Sequence, residues 1–380
     1  MSEFAVQSRP YLFFFSSPLS VLLSSFSLLV FSSRLLFSPS LHLTILPLLL
    51  HLSIPLLLSP SPIVEPYLLH NTMLRYIYLK TIALLLRTLS RLTSPITAHP
   101  DEIEHIPSRD PNRTIRIHIY HPPQSNQTNS QRILLNFSGS GFVMPAHGLD
   151  DPFCRRISTT TGYTVFDVSY RTAPEYPFPA ALNDAADAVA WARSRYPNAR
   201  LALSGFSAGG NIAAVTATTT STTTDTPFSH LMLFYPAVDM RASNPPKTAP
   251  DSSARPLLPN WILVFFVRCY MAGFREEDVP SALADPRVSP ALADPARYPP
   301  VCGIVTAAQD TMALDAESLA GRIEAAGRSV VVCERMEGVG HAWDKFVKDE
   351  TDGEGGSGER GIPWVRRERA YGIAVEVLGR

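Results

Sequence analysis

The sequence predicts the α/β class: a mostly parallel central sheet with helices on both faces and a helical cap. Three observations carry that expectation. Short apolar runs of strand length, at 133–137, 164–168, 201–204, 230–235, 301–307 and 329–336, alternate with helical patterns such as 180–196 and 314–326. That order makes parallel strands joined by crossover helices, with function at the C-terminal strand ends. One junction, Leu201-Ala-Leu-Ser-Gly-Phe-Ser-Ala-Gly-Gly-Asn211, leaves only Gly205-Phe206-Ser207-Ala208-Gly209 to turn a buried strand into a helix. Finally, the 380 residues are 45% hydrophobic, which suffices for one large domain with additions.

The first part of the chain has a different composition. No Asp, Glu, Lys or Arg occurs from Tyr11 to Ser33, nor between Arg34 and Glu65. The first run has the length of a membrane span or signal sequence, with Arg9 on its amino side. The second is broken by Pro39, Pro47, Pro55, Pro60 and Pro62. Residues 1–72 are therefore read in two ways: as a hydrophobic, low-complexity segment that associates with a membrane, or as a stretch outside the fold. That choice also decides between a cytoplasmic and a membrane-associated protein. Residues 73–380 are expected to form the working domain, with cap elements at about 73–97 and 239–284.

Within that domain, residues 74–92 carry apolar side chains around most of a helix, punctuated by Arg75, Lys80, Arg87 and Arg91; such a helix lies on a membrane surface or covers a pocket, and the cover is the expectation here. Residues 101–107 and 114–120 alternate apolar and polar positions, as antiparallel strands do. Asn112-Arg-Thr114 and Asn126-Gln-Thr128 fit the glycosylation pattern, which matters only if the chain is secreted. Residues 239–284, containing Trp261-Ile-Leu-Val-Phe-Phe-Val267, are too long for a simple connection and predict a lid element. The Thr-rich run 216–226 reads as a helix end and solvated loop, 352–361 as a Gly-rich linker, and 369–378 as a closing helix.

Charge and cysteine content exclude several functions. Lys plus Arg is 33 against 34 Asp plus Glu, so no global field attracts nucleic acid. Cys154, Cys269, Cys302 and Cys333 lack paired metal-ligand spacing, and Cys302 and Cys333 sit in apolar runs that predict buried, reduced thiols.

The turn at Ser207 predicts chemistry. A serine at a tight strand-to-helix turn stands at the helix N-terminus, where unpaired N–H groups favour developing negative charge. Its hydroxyl needs a base, and the base needs a third group to orient it. Only one histidine follows His230: His341, in Gly338-Val-Gly-His-Ala-Trp343, directly after the last strand. The acid is Asp310, in the turn after 301–307; Asp315 already belongs to the next helix, and Asp285 and Asp294 precede the strand. The oxyanion donors are expected from the Ala208 N–H and the small-residue loop Ser138-Gly139-Ser140-Gly141-Phe142. This chemistry requires no metal and no organic cofactor, only a small-molecule acyl substrate.

Four segments together resemble the hormone-sensitive-lipase (GDXG, fold-3) group of α/β-hydrolases: Ser138-Gly-Ser-Gly-Phe142, Tyr170-Arg-Thr-Ala-Pro-Glu-Tyr-Pro-Phe-Pro-Ala-Ala-Leu182, Gly205-Phe-Ser-Ala-Gly-Gly210 and Gly340-His-Ala-Trp343. The resemblance covers roughly residue 73 to the C-terminus. It implies an α/β-hydrolase fold and a carboxylesterase acting on short- to medium-chain esters through Ser207, Asp310 and His341. It further implies an oxyanion hole from the amides of Ser140, Gly141 and Ala208, and a cap that joins 74–92 to the excursion around Trp261. Ser138 replaces the loop histidine of that group and Ser140 a glycine, which puts the loop's supporting bonds in question. Glu175 is expected to brace the loop. An amidase or deacetylase would use the same groups. A non-catalytic receptor on the same fold, as in the plant gibberellin receptors, would lack the histidine that His341 supplies here.

Overall fold

The computed structural model describes residues 72–123, 131–221, 226–241, 247–253, 260–347 and 361–380. The apolar stretch 1–71, the Asn126 glycosylation motif and most of the Gly-rich linker lie outside them. No helix among the described residues is long and apolar enough to cross a membrane.

Helix α1 (Thr72–Thr93) precedes two strands, β1 (Glu102–Pro107) and β2 (Thr114–Tyr120), which pair antiparallel as their alternation predicts. The alternating part follows: β3 (Arg132–Phe137), α2 (Asp151–Thr161), β4 (Thr164–Val168), α3 (Ala180–Arg195), β5 (Arg200–Phe206), α4 (Ala208–Thr220) and β6 (Phe228–Phe234). The excursion contains α5 (Asn260–Tyr270) and a short α6 (Val279–Leu283). Strand β7 (Val301–Ala307), α7 (Ala313–Ala325), β8 (Val330–Met336) and α8 (Ile362–Leu378) complete the chain. The eight strands form one sheet in the order β1-β2-β4-β3-β5-β6-β7-β8, parallel from β4 to β8.

Strand alternation divides the apolar side chains between two cores. Ile133, Leu135 and Phe137 of β3 join Leu201 and Leu203 of β5 on one face, against Ala188 of α3 and Ile212 of α4. Leu134, Ala202 and Phe206 point the other way, towards Phe153 of α2 and Ile373 of α8. Helices on both faces are what a parallel sheet needs, since each strand is apolar on both sides.

Three sequence expectations differ from the structure. Helix α2 was not anticipated, because Thr and Arg dilute its apolar spacing. Its buried face, Phe153, Cys154, Ile157, Ser158 and Thr161, nevertheless keeps helical periodicity, and Gly162 at φ 74° ends it. Helix α8 begins at Ile362 rather than 369, with Pro363 accommodated in its first turn. Cys333 is exposed instead of buried, because β8 is the outer strand of the sheet; Cys154, Cys269 and Cys302 are buried, and all four thiols are free.

The turn from β5 to α4 leaves no room for side chains. A Cβ on Gly209 would lie 1.9 Å from the Phe137 carbonyl oxygen, and one on Gly205 would lie 2.2 Å from the Gly209 oxygen. Gly209→Ala should therefore lower the thermal midpoint by roughly 5 °C or more, since overpacking costs about 1–3 kcal/mol and a domain of this size moves by about 2–4 °C per kcal/mol. Gly321→Ala, in α7 with nothing within 4 Å of the new methyl group, should leave the midpoint unchanged or raise it. Circular dichroism melts of the two variants compare them directly.

Candidate active site

Ser207 caps α4 with φ 51° and ψ −116°, outside the regions that residues bearing a Cβ prefer. Neighbouring backbone holds it there. The Ser207 N–H donates to the Phe234 carbonyl at 2.9 Å, and its own carbonyl accepts from Asn211 (3.0 Å) and Ala237 (3.2 Å). The Asn211 side chain fixes the loop behind, donating to the carbonyls of Ala237 (2.7 Å) and Val288 (2.8 Å).

The loops after β7 and β8 bring Asp310 and His341 to this turn. They are tied together by the Ala308 N–H to the Met336 carbonyl (2.9 Å) and the Gln309 N–H to the Val339 carbonyl (3.0 Å). His341 Nε2 lies 2.8 Å from Ser207 Oγ, and Nδ1 lies 2.7 Å from Asp310 Oδ2. The other carboxylate oxygen of Asp310 accepts the Met312 N–H at 3.0 Å. With the proton on Nδ1, the imidazole donates to Asp310 and accepts from the serine hydroxyl. Asp310 and His341 are buried, and the ring of Tyr235 stands edge-on to the imidazole at 4.8 Å. Asp315, the competing acid, pairs instead with Lys247 at 2.6 Å.

The loop 138–142 passes directly over Ser207: a Cβ on Gly139 would lie 3.1 Å from the Phe206 carbonyl oxygen and 3.4 Å from Ser207 Cβ. Gly141 has φ 57°, and the ring of Phe266 from α5 occupies the place where its side chain would be. Ser140 restores support that a glycine there would lack. Its Oγ accepts the Phe142 N–H at 2.9 Å and lies 2.7 Å from the Tyr170 hydroxyl, which also bonds the Ser138 carbonyl. One proton each on Ser140 and Tyr170 satisfies this set if Ser140 donates to Tyr170 and Tyr170 donates to Ser138.

Arg87 of α1 clamps the same loop. Its guanidinium donates to the carbonyls of Val143 (2.9 Å) and Ala173 (2.6 Å), and its Nη1 bonds both carboxylate oxygens of Glu175 (3.0 and 2.9 Å). Arg75, one end of α1 away, bonds Glu276 and the carbonyls of Ala272 and Phe274 in the excursion.

A buried charged cluster beneath the turn was not visible in the sequence. Ser204 Oγ donates to Asn136 Oδ1 (2.8 Å), and Asn136 Nδ2 donates to Asp150 and Asp167 (2.9 Å each). Lys345 Nζ lies 2.7 Å from Asp150 and 2.8 Å from Asp344, and 3.5 Å above the centre of the Phe206 ring. Tyr235 and Tyr371 donate to Asp344 at 2.6 and 3.0 Å. Burial raises the carboxyls of Asp150 and Asp167 above the usual range, and the charge of Asp167 adds to the effect at Asp150. Burial also opposes the charge on Lys345, but Asp150 and Asp344 outweigh it and hold the ammonium well above its ordinary pKa. Because Asp344 and Lys345 closely follow His341, the cluster anchors the histidine loop to the core. Behind the loop 138–142, burial holds both His118 and His147 down to about 4.

A family model described as alpha/beta hydrolase fold matches residues 134–345, more than half of the chain. This chain belongs to that family, within its hormone-sensitive-lipase-like group. Among curated relatives, it is 46% identical over 93 residues to a versiconal hemiacetal acetate esterase of Aspergillus parasiticus, covering 24% of this chain and 30% of that one. It is 32% identical over 190 residues to the esterase LipI of Mycobacterium tuberculosis, covering 49% and 59%. Both matches span less than two thirds of the relative's own length. Among solved hydrolase structures, an esterase of Pyrobaculum calidifontis superimposes with a TM-score of 0.59 at 25% identity, over 84% of this chain and 98% of that one.

Replacing Lys345 with Met should leave Asp150 and Asp344 buried without their cation. Breaking such a buried pair costs about 3–5 kcal/mol, so the thermal midpoint should drop by roughly 10 °C. A calorimetric scan showing no change would contradict this view of the cluster.

Proposed function

We propose that this hydrolase cleaves carboxylic esters of short to medium acyl chains through an acyl-enzyme on Ser207. The observation that carries the proposal is the unbroken pair of hydrogen bonds from Ser207 Oγ through His341 to Asp310, at 2.8 and 2.7 Å. Ser207 Oγ attacks the ester carbonyl carbon while His341 Nε2 takes its proton. The carbonyl oxygen becomes an oxyanion facing the amides of Ser140, Gly141 and Ala208. Collapse expels the alkoxide, which leaves as the alcohol after receiving the proton from His341. A water molecule, deprotonated by the same nitrogen, then releases the acid and restores Ser207. Asp310 holds the Nδ1–H tautomer and stabilises the imidazolium without taking its proton.

Ester hydrolysis, rather than amide hydrolysis, is supported by the esterase names of the relatives. The receptor reading ranks lower because His341 stands within hydrogen-bond reach of Ser207. Within a domain spanning 73–380, we assign a cap to residues 73–97 and 239–284. Its support is Arg75, which binds α1 to the excursion, and Phe266, which sits on the loop at Gly141. In this arrangement Phe266 forms one wall of the acyl pocket and limits chain length.

Hydrolysis of p-nitrophenyl butyrate by the purified protein tests the reaction. Ser207→Ala and His341→Ala should each lower kcat by about 10⁴–10⁶-fold, and the double variant should be no worse than either. A folded wild type without esterase activity, or a Ser207→Ala variant at the wild-type rate, would refute the mechanism. A panel of p-nitrophenyl esters tests the cap: Phe266→Ala should move the optimum kcat/KM to longer acyl chains, and an unchanged profile would remove Phe266 from the pocket.

A further inference from the structure

The ester mechanism leaves one group of ionisable side chains unused. His118 of β2, Asp167 of β4 and His147, in the segment after loop 138–142, meet on the side of that loop away from the sheet turn. One nitrogen from each imidazole and one carboxylate oxygen lie within 4.8 Å of one another, and the two rings approach to 4.0 Å between centroids. We propose that these three residues bind one divalent transition-metal ion of the zinc type.

His118 points to the site most strongly. It is 4% exposed, yet neither ring nitrogen has a hydrogen-bond partner among the described residues. A buried imidazole normally satisfies at least one nitrogen, because leaving both unpaired forfeits hydration without return. Its ring is turned towards His147 instead of being wrapped in apolar side chains alone. Asp167 is fully buried and keeps coordination capacity: Oδ1 accepts from Asn136 (2.9 Å) and Ser138 (3.4 Å), while among the described residues Oδ2 accepts only the Gly148 N–H (3.1 Å). That second oxygen lies 3.6 Å from His147 Nε2. The same nitrogen is 3.0 Å from the Asp167 main-chain carbonyl, and because a metal-bound nitrogen carries no proton, ligation through Nε2 would replace that hydrogen bond.

Two imidazoles and a carboxylate make a borderline-hard donor set suited to zinc, and donor atoms up to 4.8 Å apart would close to roughly 3.3 Å as the side chains turn onto an ion with bonds of about 2.0 Å. Of the three ligands, His147 alone lines a cavity of about 290 Å³, shared with Arg116, Ser140, Tyr170 and Thr172, by which water reaches that imidazole. The neighbouring charges are mixed. Arg116 opposes a cation here, whereas Asp150 and Asp151 favour it. None of the three ligands touches Ser207, His341 or Asp310, so the role is structural. The ion would join two strands to the segment that follows loop 138–142, and Asp167 would transmit that bracing to Ser138. The sequence separations of 29 and 20 residues are unlike any short metal motif, which is why the pattern is silent in the chain.

The untagged full chain, stripped by chelator dialysis, is titrated with zinc sulfate; bound zinc per chain is read by atomic emission and stability by thermal melting. One zinc per chain and a rise of several degrees in the melting midpoint are expected. His147→Ala, at a partly exposed position that tolerates truncation, should fold and lose at least ten-fold in zinc affinity, as should His118→Gln. Ser207→Ala should bind zinc like wild type, which separates this site from the ester chemistry. Folded wild type that retains no stoichiometric zinc, or His147→Ala and His118→Gln that bind it as tightly as wild type, would overturn the proposal.

Discussion

The backbone of Ser207 is the constraint on which the rest of the site depends. A residue at φ 51° and ψ −116° persists only if its surroundings over-determine it. They do so through main-chain bonds to Phe234, Ala237 and Asn211, and through the absence of side chains at Gly205 and Gly209, where any Cβ would overlap backbone. The reward is orientation. The hydroxyl stands at the sheet edge where the loops after β7 and β8 also end, so residues 103 and 134 positions further along the chain reach it without any long connection. A parallel sheet makes this possible because all of its C-terminal ends lie on one side.

The two sides of that turn are stabilised by different means. Below it, Asn136, Asp150, Asp344 and Lys345 form a buried ionic cluster whose members depend on one another for their missing hydration. It fixes the His341 loop by its far end. Above it, Arg87 directs its donors to main-chain oxygens and to Glu175, so that one side chain joins α1 to Val143, just past the loop 138–142, and to the segment after β4. The substitutions that seemed to weaken the loop find compensation there: Ser140 exchanges bonds with Phe142 and Tyr170, a support that does not depend on the histidine Ser138 replaces.

How much of this the sequence revealed follows from the range of each interaction. The strand and helix alternation, the Gly-flanked turn at Ser207 and the placement of Asp310 and His341 just past strands are local patterns, and they were legible. Glu175 was legible as a brace, but its partner Arg87 was not, since the two meet across 88 residues. Nothing local in the sequence reports the burial of Asp344 and Lys345, so their cluster has no sequence signal. Helix α2 was missed for the opposite reason: its local composition is Thr-rich and polar, and only its tertiary face makes it a helix. The exposure of Cys333 depended on strand order, which an apolar run does not encode.

A crystal structure of the protein inactivated by a p-nitrophenyl alkylphosphonate tests the central claim most directly. The account predicts a covalent bond between Ser207 Oγ and phosphorus, the phosphoryl oxygen within hydrogen-bond distance of the Gly141 and Ala208 amides, and His341 still bonded to Asp310. An adduct on another residue, or a phosphoryl oxygen turned away from those amides, would contradict it.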